Sequence, residues 1–184
     1  MTGTKGRDML NELGINVEPY PITEPLDLNP IDGFAWDPSK NERQQKEEYK
    51  NYLQQHLADV LQQKNLCLVG VEEGYNVLSV SVPGHPIEFV GRADMLILDD
   101  IILNIPERVQ ELPRVRMVIE VKKDRKEAEK RLYQAVSELI ALDLLASRMT
   151  MGLMTNLSDY WRFFWLCTDR TGLLSHFHLT SQCI

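Results

Sequence analysis

Cysteine is scarce in this 184-residue chain, and the three present, Cys67, Cys167 and Cys183, are odd in number, far apart and without a CxxC pair. That excludes a disulfide framework and offers no zinc-site spacing, so a reducing compartment is expected. Long apolar runs are missing as well. The opening residues Met1 to Asp8 hold no signal-like stretch, and the longest apolar run further on is broken by Asp143. Neither export nor membrane insertion is encoded in such a pattern, and an intracellular setting, cytoplasm or nucleus, is the expectation. Positive charge is also in deficit, at a formal net charge of -7. A protein that coats nucleic acid non-specifically needs the opposite balance, because phosphates are neutralised by Lys and Arg. Internal repeats and low-complexity tracts are absent from the sequence.

What is present is an ordinary globular composition, 43% hydrophobic and 26% charged, enough to bury a core within one folded unit. The charge is unevenly spread. Residues 114–131 carry eight Lys or Arg against four Asp or Glu, a local +4 that leaves -11 for the remainder.

Five of the nine prolines fall before residue 39. Residues 1–38 therefore read as an irregular arm, and apolar residues such as Ile15, Val17, Phe34 and Trp36 predict that it packs on a domain spanning 39–184. From Asp37-Pro38-Ser39 a first long helix runs to about Gln63, with Tyr49, Leu53, Leu57 and Val60 at helical spacing. Glu42 falls on that stripe, an acid aimed inward. Strands are predicted at 66–71, 76–82 and 87–98, the last two separated by Pro83-Gly84-His85-Pro86. Residues 115–122 alternate, with Val115, Met117, Ile119 and Val121 on a core face and Arg116, Val118, Glu120 and Lys122 on the face that carries chemistry. A second helix over 127–148 and strands at 150–155, 160–167 and 173–179 complete the order. The expected class is α/β (α+β), a mixed central sheet flanked by helices. Ala141, Leu144 and Leu145, on the other side of the second helix, call for a further packed layer or a homodimer.

The chemistry concentrates in Gly91-Arg92-Ala93-Asp94 and Val118-Ile119-Glu120-Val121-Lys122. The two-residue spacing sets the Glu120 carboxylate and the Lys122 ammonium side by side on one strand face, and Asp94 can add a second carboxylate from a neighbouring strand. Two carboxylates hold Mg²⁺ while leaving positions for water and phosphate, which is what phosphodiester hydrolysis requires. Lys122 would orient the attacking water and stabilise negative charge as it develops. The competing reading is a structural ion pair at a sheet edge.

These pieces resemble the PD-(D/E)XK nuclease superfamily over about residues 41–167. The likeness is to the nuclease-like domains of Crinkler-type effectors and their fungal relatives, and to the nuclease domain of type I restriction enzymes. Asn41-Glu42, Tyr133-Gln134 on the second helix, Gly152-Leu153-Met154-Thr155 and Trp161-Arg162-Phe163 join the two segments above in carrying it. The resemblance implies a restriction-endonuclease-like sheet and a divalent-metal-dependent endonuclease using Mg²⁺ or Mn²⁺. It implies Asp94, Glu120, Lys122 and Gln134 as catalytic residues, and Asp94, Glu120, Val121 and Glu42 as the metal set. The helical wheel turns Gln134 away from the Leu132–Leu139 stripe, and Thr155-Asn156-Leu157 stands where related chains have Thr-Asp-Gly. The expected partner is nucleic acid, DNA in preference to RNA. The alternative is a catalytically inactive module of the same fold that binds nucleic acid or a protein partner as an effector.

Overall fold

The computed structural model of the chain describes residues 3–19, 32–71, 78–105, 114–146, 149–168 and 174–179. At its centre lies the alternating segment singled out above, β6 (Val115–Val121). It is flanked by β5 (Met95–Asp99), antiparallel to it, and β7 (Met151–Thr155), parallel to it. A parallel neighbour requires a crossover, and helix α3 (Arg125–Leu145) supplies it. Asp124 caps that helix, its side chain accepting a hydrogen bond from the Glu127 amide at 2.9 Å.

β2 (Leu66–Gly70) pairs antiparallel with β5, and β8 (Trp161–Thr168) runs antiparallel between β7 and β9 (Leu174–Leu179). With β1 (Asn16–Pro19) the sheet has seven strands in the order β1-β9-β8-β7-β6-β5-β2. It is a mixed α/β sheet flanked by helices, as expected. A separate two-stranded hairpin joins β3 (Val80–Ser81) to β4 (Glu88–Phe89).

The apolar residues sort into two clusters, one on each face of the sheet. Leu96, Leu98, Val118, Met154 and Phe164 pack with the α3 residues Val136, Leu139 and Ile140. Leu68, Met95, Ile97, Ile119 and Leu153 pack with Tyr49, Leu53 and Leu61 of helix α2 (Lys46–Lys64). Both faces of β6 are therefore core. The expected division into one core face and one chemical face is corrected: Val118 is as buried as Ile119, and the buried charges, Glu120 and Lys122, enter at the strand's C-terminal end, while Arg116 near its start pairs with Asp99.

The irregular N-terminal arm is also corrected. Residues 3–12 form helix α1 (Gly3–Glu12), and β1 pairs in parallel with β9. Met9, Leu10 and Ile15 enter the α3-side cluster, so the arm packs inward as expected, but as regular structure. Ala141 and Leu144 join the same cluster, and the chain's own N-terminus thus supplies the further layer that α3 calls for. Leu145 is left exposed. Residues 20–31, which hold several of the prolines, lie outside the described residues.

The first helix begins differently from the reading of Asp37-Pro38-Ser39. That segment is a turn, followed by a 3-10 turn at Arg43–Gln45 and then α2. The strand expected at 87–98 is broken into β4 and β5. Phe89 pairs in the small hairpin and packs with Val82 and Leu78 in the α3-side cluster; the chain leaves extended pairing after Phe89 and resumes it in the main sheet at Met95. Of the strand expected at 76–82, only Val80–Ser81 is paired, and residues 76 and 77 lie outside the described set. No helix among the described residues is long and apolar enough to cross a membrane.

Candidate functional site

Strand parity decides which side chains meet. Residues alternate across a sheet, and Leu96 and Val118 face α3, so Asp94, Glu120 and Lys122 share that direction. Register brings them together: Met95 pairs with Ile119, and one step outward along both antiparallel strands Asp94 lies opposite Glu120. The Asp94 carboxylate is fixed by the strand it faces, Oδ2 accepting a hydrogen bond from the Val121 amide at 2.9 Å. Beyond β6 the Lys122 amide donates to the Thr155 carbonyl at 2.9 Å, which holds Lys122 in extended conformation against β7.

Lys122 is the hub. Its Nζ stands 2.6 Å from Glu120 Oε1, 3.6 Å from Asp94 Oδ2 and 3.9 Å from Glu42 Oε2. It also donates to the Val121 carbonyl at 2.9 Å. Glu120 and Lys122 are buried, at 5% and 7% exposure. Burial alone would lower the Lys122 pKa, but the surrounding carboxylates of Glu120, Asp94 and Glu42 outweigh it and push it up. Burial drives the Glu120 carboxyl well above the usual range, and the negative charges of Asp94 and Glu138 reinforce that against Lys122.

Glu42 arrives from the other side of the sheet. Its Oε1 accepts from the Lys123 amide at 2.6 Å, docking the start of the α2 segment on the end of β6. The turn that presents it is built around Gln45, which is fully buried. The Gln45 side chain accepts from the Asp37 amide and donates to the carbonyls of Asp37, Lys40 and Asn41. Lys123 Nζ donates to the Asp37 and Lys40 carbonyls as well, both at 2.7 Å, so this cation is spent on the turn. Much of the local basic charge is likewise committed: Arg125 pairs with Glu129, Arg131 with Glu127, and Arg114 and Arg116 with Asp99.

The cluster lies in a cleft of about 770 Å³. Its lining adds four cations, Arg43, Lys46, Arg92 and Arg131, of which only Arg131 belongs to the basic segment read from sequence. Tyr49 also lines it, its phenol pushed up by burial and by Asp94, Glu42 and Glu120.

Gln134 reaches the cleft but not the Asp94–Glu120–Lys122 cluster. Its Nε2 donates to Glu138 Oε1 at 3.0 Å, and its Oε1 accepts from Arg131 at 3.0 Å. Glu138 is the residue that sequence reasoning missed. It is 4% exposed, lines the cleft, and its Oε2 has no hydrogen-bond partner. Burial, then the charge of Asp94, raises its carboxyl to about 7 against the pull of Gln134, Lys122 and Arg131. A signal was available: Glu138 is the one charged residue in the run Ala135–Leu142.

Among the described residues, no three His, Cys, Asp or Glu side chains already stand in ligating positions, and the Lys122 ammonium holds the space between the carboxylates. The donor set nonetheless fits a hard divalent cation, which takes oxygen ligands. Three carboxyl groups, Glu42, Asp94 and Glu120, surround one buried ammonium, and a fourth in the same cleft, Glu138, keeps an oxygen without a hydrogen-bond partner. The residues that could hold the ion are Asp94, Glu120 and Glu42, with the Val121 carbonyl between them.

The chain is homologous to part of several Crinkler effector proteins. It is 44% identical over 168 residues to Crinkler effector protein 2 of Phytophthora infestans, covering 90% of this chain and 36% of that protein. It is 43% identical over 178 residues to Crinkler effector protein 63 of Phytophthora sojae, covering 90% and 39%. Crinkler effector protein 4 of Phytophthora capsici is 39% identical over 169 residues, with the same coverage as the last. The chain thus spans little more than a third of the length of these relatives. No family profile and no solved structure matches it.

Proposed function

We propose that this chain is a PD-(D/E)XK-type nuclease domain of an effector-type protein. It would hydrolyse phosphodiester bonds with Mg²⁺ or Mn²⁺, in DNA in preference to RNA. The observation that carries this reading is the Lys122 ammonium held within 4 Å of Glu120, Asp94 and Glu42 on the floor of a cleft. The homology to Crinkler effector proteins supports the effector context.

A bound divalent cation would supply Lewis acidity and a water of lowered pKa. The chain's own part is to hold and orient. Asp94, tied to the Val121 amide, presents its other carboxylate oxygen. Glu120 and Glu42 add theirs. Lys122 keeps its proton and donates to the oxygens on which negative charge develops. Arg43, Lys46 and Arg92 meet the phosphates flanking the cut, which positions a strand without reading its bases.

Plasmid DNA and a structured RNA incubated side by side with Mg²⁺ or Mn²⁺ test the proposal. Cleavage is expected for the parent protein, and Lys122→Ala should slow it by about 100-fold or more, the usual cost of losing one charge-stabilising donor. A Lys122→Ala protein that cuts at the parent rate ends the catalytic assignment. One observation favours a second reading, the non-catalytic module: the 2.6 Å Lys122–Glu120 pair is already self-neutralising. Calorimetric titration with Mn²⁺ separates the two, since the module predicts no heat of binding.

A further inference from the structure

The buried carboxyl of Glu138 is held at one oxygen and left without a partner at the other. An unsatisfied polar atom in a protein interior is costly, and sites that keep one commonly supply its partner when a ligand binds. The arrangement around it is selective. Gln134 pins Oε1, and Arg131 pins Gln134 in turn, a relay running from the cleft rim to the interior. On the opposite side the backbone comes close at Gly91, where an added Cβ would sit 3.1 Å from Glu138 Cγ and 3.8 Å from Oε1. The residue three places before Asp94 is thus small enough to admit the Glu138 side chain into the cleft. Lys122, Asp94 and Glu120 line the same cavity, and α3 covers the sheet face toward which all three point.

We propose that Glu138 is a further member of the cation site, its free Oε2 holding a water on the divalent ion, with Gln134 as the residue that positions it. This rests on the metal-dependent reading above, and it gives Gln134 a role exercised through Glu138. A carboxylate supporting a metal-bound water from the outer shell changes metal affinity typically by about 10–100-fold when it is lost.

The test is calorimetric titration with Mn²⁺ of the parent, Glu138→Gln and Gln134→Ala proteins, with urea unfolding of each in EDTA. Glu138→Gln keeps the shape and can still accept from Gln134, but drops the charge. Its Mn²⁺ dissociation constant should rise by about 10-fold or more, while its unfolding midpoint in EDTA does not fall. Gln134→Ala leaves the carboxyl but frees it, and should weaken Mn²⁺ by a smaller factor. Mn²⁺ binding by Glu138→Gln as tight as by the parent overturns the inference and leaves the Asp94–Glu120 site standing. Weaker binding accompanied by a lower midpoint in EDTA also overturns it, because the role is then structural. If Glu138→Gln does not fold, Gln134→Ala decides by the same two criteria. A parent protein that binds no Mn²⁺ brings down the metal-dependent reading and this inference together.

Discussion

Glu138 makes the stability of the metal-free protein depend on pH in a direction opposite to that of an ordinary paired carboxylate. Its folded pKa of about 7 stands above the unfolded value of 4.5, chiefly because burial disfavours the charge. As pH rises, the unfolded chain therefore releases this proton first. Stability is at its fullest below 4.5, falls as pH climbs through 7, and then levels off. The gap between 4.5 and about 7 corresponds to roughly 3 kcal/mol, of which about 2.5 kcal/mol is lost between about pH 5 and about pH 8. At 4% exposure the side chain is shielded from solvent, so the full effect of burial is felt. Urea unfolding in EDTA across that range, for the parent and Glu138→Gln proteins, isolates the contribution as a difference. The parent should lose about 2–3 kcal/mol more than the variant on going from acid to alkaline conditions. Two parallel stability curves would refute the reasoning.

Three further outcomes are expected. Lys122→Met leaves buried Glu120 and its neighbours without their ammonium, and should cost about 3–5 kcal/mol at neutral pH in EDTA, read as a lower melting temperature that Mn²⁺ partly restores. Gly152→Ala drives a methyl group into the Phe164 ring that lies over it in the β7–β8 pairing; an overpacking cost of about 1–3 kcal/mol is expected, checked by urea unfolding. Gln45→Ala removes the four contacts that shape the Asp37–Asn41 turn and should destabilise by about 1–3 kcal/mol, with weaker Mn²⁺ binding as Glu42 loses its support.

The regions legible in the sequence are those where one physical signal dominates. The alternation of 115–122 and the length of the apolar pattern that follows define β6 and α3 to within a few residues. The spacing of Glu120 and Lys122, with Asp94 on an adjoining strand, is enough to bring those three together. Where two signals compete, the reading fails. The prolines between 19 and 38 overshadowed α1 and β1, whose apolar residues are too few to show a period until Met9, Leu10 and Ile15 meet α3. Glu138 was hidden because α3 is buried continuously from Ala135 to Leu142, so no polar face marks which way a given side chain points. The Gln45 knot has no one-dimensional signature, since its partners are backbone groups of a turn that exists only once the side chain is in place.

The parallel pairing of β1 with β9 joins Asn16 to His176, nearly opposite ends of the chain. Closing so large a loop is entropically costly, which predicts that this margin zips up after the central strands have condensed. Until it does, the outer rim of β9 offers unpaired amides and carbonyls, the kind of edge on which chains stick to one another. β1 therefore covers that rim, and trimming it is expected to trade a folded margin for an aggregation hazard.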